Sequence, residues 1–187
     1  MKIPQIALLF AAASLGCGAS SAGTACPGTP CDEGERAAFR AASDFESSEV
    51  TAENQTALDA AAMPFAVFLT QMHVRIHAHF VDGYLASLGP DPSELADSSQ
   101  ATTLEIGVNP DGSLYRLGIL RTSGEPRFDY GAVRSVYRAQ PFDAPPDAIL
   151  SGDGHVWLHW TFHRSARQCG AWNAEPFILR NGPMREP

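Results

Sequence analysis

The sequence is poor in positive charge and in long apolar runs. Its 13 lysines and arginines stand against 21 aspartates and glutamates, so the formal net charge is −8 at pH 7. This balance excludes the basic surface of a nucleic-acid-binding protein. Beyond the N-terminal segment, no stretch reaches the roughly 18 consecutive apolar residues of a membrane-spanning helix. The sequence therefore predicts no internal transmembrane helix.

The usual motifs of catalysis and cofactor binding are also missing. The sequence contains no nucleophile elbow, no phosphate-binding loop and no paired-carboxylate motif. Asp111 and Asp129 are each explained locally, the first by a turn and the second by a helix start. We therefore predict no cofactor.

The N-terminal residues have the pattern of an export signal. Met1-Lys2 is followed by a short apolar region, Ile6–Leu15. Ser14-Leu15-Gly16-Cys17 then resembles a lipobox, although leucine is usual where Ser14 stands. We predict a signal peptide and lipobox over residues 1–17, with lipidation of Cys17. Ordinary cleavage after Ala25 and an uncleaved anchor are the alternatives; the first, like lipidation, places the chain outside the cytoplasm.

Three further cysteines remain if Cys17 carries lipid. A zinc site built from four thiolates would need Cys17 as well, so we reject it. An odd set predicts one disulfide and one free thiol. Cys26 could pair with Cys31 locally, or one of them could pair with Cys169, and the sequence leaves both open.

Residues 18–62 are predicted to form a flexible, acidic, alanine-rich leader. Residues 18–30 are small and polar, as in a tether. The segment from Asp32 to Asp59 contains eight carboxylates and only two basic residues, Arg36 and Arg40. Its alanines favour partial helix formation. The folded part of the chain is expected to follow this leader.

A helix is predicted from Pro64, because proline suits the first helical position. Its apolar residues share one stripe at helical spacing. They are Phe65, Phe68, Leu69, Met72, Ile76 and Phe80. Gly89-Pro90-Asp91-Pro92 should end this segment.

A β-hairpin follows. Leu104, Ile106 and Val108 alternate with other residues, the period of a strand that is buried on one face. The four residues Asn109, Pro110, Asp111 and Gly112 favour a tight turn, in which Gly112 accepts a positive φ. The run from Leu114 to Leu120 then returns as the second strand.

A second helix and a third strand complete the pattern. The helix is expected behind Pro126, with apolar residues at helical spacing. Val156, Leu158, Trp160 and Phe162 alternate as the strand. We predict an α+β domain over residues 63–164, with the order helix, hairpin, helix, strand and a small antiparallel sheet packed on two helices. Residues 165–187 form a tail that either adds a short strand or stays loosely attached.

Histidines are the one chemically suggestive residue type. His73 and His77 lie four apart on one helical face, as zinc ligands do, but no third ligand is identifiable. His155, His159 and His163 are spaced about 13 Å apart along the third strand, too far for one ion. We interpret this outer face, with Trp157 and Thr161, as an exposed partner surface.

Several motifs together resemble the C-terminal domain of the TonB/TolA families, in particular its lipoprotein branch in predatory and gliding bacteria. They are V-N-P-D-G-S-L, R-T-S-G, F-D-Y-G-A-V-R-S-V and Q-P-F-D-A-P-P. The resemblance covers roughly Phe65 to Phe162. It implies a non-catalytic protein whose third strand is a sheet edge that receives a partner peptide by strand addition. The matching partner-binding residues are His155, Trp157, His159, Thr161 and His163.

This resemblance further implies a periplasm-facing envelope protein in transport or envelope integrity, held to a membrane by its N-terminal lipid. An energy transducer would also need a membrane helix and a long proline-rich span, so an adaptor is expected instead. The alternatives are a metal-assisted hydrolase using His73 and His77, and a purely structural envelope lipoprotein.

Overall fold

A computed structural model describes residues 32–52, 54–55, 58, 61–88, 97–165 and 168–180. Three helices pack on a four-stranded antiparallel sheet, which confirms the predicted α+β class. The lipidation predicted at Cys17 and the possible Cys26–Cys31 disulfide lie outside the described residues.

The helices occupy one side of the sheet. Helix α1 spans Glu33–Ser43, α2 spans Ala62–His79 and continues into a π-helical turn at Phe80–Leu85, and α3 spans Pro126–Ala139. Every residue of the predicted stripe on α2 is buried, which confirms that prediction. Helix α3 starts with proline behind an N-cap, Glu125, whose side chain accepts a hydrogen bond from the Arg127 N–H.

The sheet has the order β2-β1-β3-β4. Strand β1 is Ala101–Val108, β2 is Leu114–Arg121, β3 is Val156–His163 and β4 is Ala174–Phe177. β1 pairs with β3 over its whole length, from Ala101 opposite His163 to Val108 opposite Val156. The apolar residues of β1 and β3, apart from Trp157, face the helices and form the main core with α2 and α3.

The expectation that β3 is an edge strand is wrong. The tail supplies β4, which pairs antiparallel with β3 from Trp157 opposite Phe177 to Trp160 opposite Ala174. Phe177 and Leu179 are buried in a small apolar cluster, so burial of tail side chains holds this added strand in place. The short strand considered for the tail is therefore present, and β3 lies inside the sheet.

Helix α1, within the predicted leader, packs on α3 and on β2. Its Glu35 is 1% exposed and accepts hydrogen bonds from the guanidinium groups of Arg134 and Arg138, with the Arg134 Nε–Oε2 distance 2.8 Å. Tyr130 Oη donates to the same carboxylate at 3.2 Å. The whole helix is thus fastened to the domain, whereas the predicted boundary at residue 63 stays a prediction.

The β1–β2 turn is held against the loop that follows α3. Gly112 has φ 84° and its N–H donates to the Asn109 carbonyl at 2.9 Å. A Cβ at Gly112 would lie 2.1 Å from the Phe142 carbonyl oxygen. Phe142 N–H in turn donates to the Gly112 carbonyl at 2.7 Å, so hairpin and loop touch through their backbones.

Two further expectations concern membrane-spanning helices and disulfide bonds. Within the described ranges, no helix is both long and apolar enough to cross a membrane. Cys169 is a buried free thiol, and burial raises its pKa to about 12. The alternative in which Cys169 forms a disulfide with the leader is therefore absent from this structure.

Gly112→Ala should destabilise the protein more than Gly124→Ala. Both glycines have φ 84°, which alone costs an alanine roughly 1–2 kcal/mol. Only Gly112 meets backbone atoms, whereas nothing lies within 4 Å of a Cβ at Gly124. Urea unfolding should show an additional loss of roughly 1–3 kcal/mol for Gly112→Ala. Equal losses would show that the Phe142 carbonyl does not constrain the turn.

Glu35→Ala should destabilise the protein strongly, because it leaves two arginines without their buried counter-charge. Breaking a fully buried ion pair costs about 3–5 kcal/mol, and a loss toward the lower end is expected here because the Arg138 side chain is 41% exposed. The exposed Glu33 in the same helical turn is the control, and Glu33→Ala should change the unfolding free energy by less than about 1 kcal/mol. Similar small losses for both variants would mean that α1 is not fastened through Glu35.

Candidate partner-binding site

The side chains predicted to bind a partner lie on the sheet face opposite the helices. Alternation along β1 and β3 places Thr103, Glu105, Trp157, His159 and Thr161 on this outer face, because the residues between them enter the core. Cross-strand pairing sets Glu105 opposite His159 and Thr103 opposite Thr161. The structure thus brings the middle of the predicted site together, but part of this face is covered.

Trp157 was expected to be exposed, and that expectation is wrong. Its side chain is 0% exposed and packs with Val50, Phe177 and Leu179. Its ring lies edge-to-face with Tyr115 at 5.8 Å between centroids, and its Nε1–H donates to Asp153 Oδ2 at 2.8 Å. Segments before and after the domain cover this tryptophan, so it stabilises the outer face rather than contacting solvent.

The two outer histidines are half-buried. His155 stacks on Tyr115 with ring centroids 3.8 Å apart, and its backbone N–H donates to Asp153 Oδ1 at 3.0 Å. At the other end of β3, the His163 N–H donates to the Gln168 carbonyl at 2.8 Å. Both positions therefore have contacts within the chain.

Sequence reasoning missed a buried polar cluster at the middle of the outer face. Glu105 is 0% exposed, yet its carboxylate is fully engaged. Ser48 Oγ donates to it, the Glu49 N–H donates at 3.1 Å, and His159 Nε2 lies 3.1 Å from Oε2. Arg116 Nε lies 3.5 Å from Oε1. The only signal in the sequence was a carboxylate within an otherwise apolar strand.

This cluster fastens residues 45–50, here called the strap, across the outer face. Phe45 covers Gly118 of β2 so closely that a Cβ there would lie 2.0 Å from its ring. Arg116 stacks on Phe45 at 5.0 Å and also binds the Glu49 carboxylate and the Ser47 carbonyl. The strap therefore combines apolar contact with a hydrogen-bonded carboxylate.

Ser48, His159 and Glu105 do not form a catalytic triad. In a triad, the histidine uses one ring nitrogen for the serine and the other for the carboxylate. Here His159 Nε2 faces both groups, at 3.4 Å from Ser48 Oγ and 3.1 Å from Glu105. Ser48 also donates directly to Glu105, so its hydroxyl is used in holding the strap.

An open cleft of about 470 Å³ lies beside the strap on the same face. The Thr103 and Thr161 hydroxyls, 3.0 Å apart, belong to its lining, and Arg121 Nη2 donates to Thr103 Oγ1 at 3.2 Å. The rest of the lining is mostly polar: Leu120, His159, Asn173 and Glu175. This cleft is where Thr161 and His159, both half-buried, meet solvent.

The structure adds no further ligand to the metal site considered at His73 and His77, among the residues that it describes. The rings of His73 and His77 meet edge-to-face with centroids 5.4 Å apart. Burial, and then the neighbouring His77, lower the pKa of His73. In the part of the chain that the structure describes, no group of three or more His, Cys, Asp or Glu residues could hold a metal ion.

Comparison with known proteins gives one family match. Residues 86–154 match the family model described as TonB C terminal, a segment that runs from the end of the π-helical turn through β1, β2 and α3 to just before β3. Over these 69 residues, a little more than a third of the chain, the protein is similar to the TonB C-terminal domain. The assignment to a lipoprotein branch stays a prediction. No curated protein and no solved structure gives a significant match.

Glu105 should make stability depend on pH at the acid end. Burial alone would raise the pKa of Glu105, but hydrogen bonds from His159, Ser48 and the Glu49 N–H outweigh it and hold the pKa below its usual range. A carboxyl with a lowered folded-state pKa stabilises the fold above its unfolded pKa of about 4.3, and this contribution is lost as pH falls through the lower, folded pKa.

Unfolding free energies between pH 7 and pH 3 test this dependence. Wild type should lose more stability on acidification than Glu105→Gln, and the two curves should begin to converge as pH falls below the unfolded pKa of about 4.3. Exposed Glu33→Gln is the control and should follow wild type. Parallel curves for wild type and Glu105→Gln would show that the cluster does not hold Glu105 ionised.

Proposed function

Starting from the similarity of residues 86–154 to the TonB C-terminal domain, we propose that this protein is a non-catalytic envelope protein that binds a partner protein by β-strand addition to β3. Its β3 edge is occupied at present by the chain's own β4. A partner segment would replace part of β4, which makes binding a competition between two strands.

The incomplete cover of β3 is the observation that carries this proposal. β3 has eight residues, whereas β4 has four and pairs only with Trp157–Trp160. Pro176 lies opposite Leu158, whose backbone groups face β1, so the missing N–H of Pro176 faces the open edge and does not interrupt the β3–β4 ladder. The incomplete cover is therefore a matter of length, and a longer segment could pair with more of β3.

The backbone direction of β3 suits this exchange. His163 donates its N–H to Gln168, and the His155 carbonyl accepts from the Ser151 N–H, so the groups of both residues point away from β1. Backbone direction alternates along a strand, and Trp157, His159 and Thr161 share this parity. All five residues of the predicted site thus direct their backbone groups toward the side where a partner strand would pair.

Only part of the tail would need to move. Beyond β4, the Leu179 N–H donates to Ser151 Oγ at 2.9 Å and its carbonyl accepts from the Gly152 N–H at 2.8 Å. Phe177 and Leu179 also belong to the apolar cluster around Trp157. Residues 174–176 have no comparable anchor among these contacts, so a partner would displace them while the cluster stays packed.

The wider role follows from the family. We place the protein at the periplasmic side of the envelope, held by lipid at Cys17, where it acts as an adaptor in transport or envelope integrity. Trp157, His155 and His159 then support β3 from the outer face, and Thr161, at the open end of the cleft, contacts the partner directly.

A photo-reactive amino acid at Thr161 should crosslink the full chain to a partner protein in intact envelopes. Locking β4 onto β3 should then prevent this adduct. His159 and Glu175 are directly opposite in the antiparallel pair, where Cα atoms lie about 5.5 Å apart and a disulfide fits. The double variant His159→Cys/Glu175→Cys should lose the adduct when oxidised and regain it after mild reduction.

The matched control is His159→Ser/Glu175→Ser, which removes the same side chains without a disulfide. Its adduct should be insensitive to oxidation. An adduct that persists in the oxidised cysteine variant, or the absence of any protein adduct at Thr161, would contradict strand exchange at β3.

A further inference from the structure

One face of α2 remains open to solvent and is apolar. Along its length, the exposed residues are uncharged except for Arg75: Ala62, Met63, Ala66, Val67, Thr70, Gln71, Val74 and Ala78. Met63 is 74% exposed, Val67 54% and Val74 65%, which are high values for large apolar side chains. We call the stripe formed by Met63, Val67, Thr70 and Val74 the α2 face.

This face is also free of acidic residues. The chain carries 21 carboxylates in 187 residues, about one in nine, yet none occurs between Asp59 and Asp82. A helix at a protein surface ordinarily places charged residues on its solvent side. Apolar residues on both sides of α2 are the pattern of a helix that is covered on both sides.

The few polar neighbours add little charge. Arg75, at the border of the face, donates its Nε–H to the Ala139 carbonyl at 3.1 Å and lies 3.8 Å from Asp143. Burial lowers the pKa of His73 and of His79, so both are neutral at neutral pH. Apart from Arg75, whose side chain is 44% exposed, a strongly charged partner would therefore find no complementary charge here.

We infer that the α2 face binds the α2 face of a second copy of this chain. Met63 and Thr70 are seven residues apart, as are Val67 and Val74, and the two pairs alternate at steps of four and three. This is the heptad spacing by which two helices interlock. The alanines beside the stripe allow close approach.

Net charge favours the same geometry. Two chains of charge −8 repel one another over most of their surfaces. The electrostatic repulsion between them is smallest where both surfaces lack carboxylates. Among the three long helices that the structure describes, α2 is the one without carboxylates. A twofold axis through the middle of α2 would bring the α2 face of one chain against the α2 face of the other.

The expected dimer is weak. Eighteen residues of helix are about 27 Å long, and one helix pair of this length buries on the order of 1,000 Å² in total, at the lower limit of specific interfaces. Dimerisation should therefore depend on concentration, and it does not involve β3. The proposal can fail or succeed independently of strand addition.

Photo-crosslinking in the full chain distinguishes the possible occupants. A photo-reactive residue at Val67 should give a product of twice the chain mass that contains two differently tagged copies. The same residue at Leu120, which is 38% exposed on β2, should not give it. An adduct of unchanged mass that maps to residues 1–31, an adduct with lipid, an adduct with another protein, or no adduct would each overturn the proposal.

Substitution of an apolar residue by a charged one is the second test of the dimer. With the photo-reactive residue at Thr70, Val67→Glu should reduce the twofold-mass product at least tenfold, because it introduces one carboxylate from each copy into the apolar interface. Leu120→Glu is the matched control and should leave the product unchanged. Thermal melts check that each variant folds. If Val67→Glu does not fold, Val67→Gln is used in its place. An unchanged product in the folded variant would overturn the proposal.

Discussion

The rest of this structure depends on the pairing of β1 with β3. All eight residues of β1 have a partner on β3, and the two strands together supply the inner apolar face on which α2 and α3 pack. The same register determines the outer face, because it sets Glu105 beside His159 and Thr103 beside Thr161. A shift of one residue would turn Glu105 into the core and Leu104 toward solvent. Core and candidate site are therefore two consequences of one register.

Buried carboxylates organise what lies around this ladder, although the chain as a whole is acidic. Glu35 holds α1 through two arginines, and Glu105 holds the strap through a serine, a histidine and a backbone N–H. Asp129 accepts hydrogen bonds from Thr102, Thr122 and the Ser123 N–H, and so ties α3 to the ends of β1 and β2. Each carboxylate gains donors that offset its loss of water.

The segments on either side of the domain change which surfaces it offers. The strap covers the middle of the outer face, and β4 covers half of β3. The remaining surfaces differ in chemistry: the cleft at Thr103 and Thr161 is polar, while the α2 face is apolar and uncharged. Strand addition uses backbone groups at β3, and helix pairing uses side chains of α2. The two modes use different residues, so both could operate in one assembly.

The sequence by itself determined the helix from Pro64, the β-hairpin, the helix behind Pro126 and the third strand, because local periodicity and turn residues specify such elements within a few residues. Only the tertiary structure decided that β3 is an inner strand and that Trp157 is buried. Both facts depend on segments that are distant in the sequence. Phe177 and Leu179 of the tail and Val50 of the leader pack on Trp157, and the residue pattern within β3 does not indicate that they do so. The Glu105 cluster was equally hidden, since Ser48 lies 57 residues before Glu105 and His159 lies 54 residues after it. Contacts over such separations follow from how the chain folds back on itself, and a single sequence carries no local signal for them.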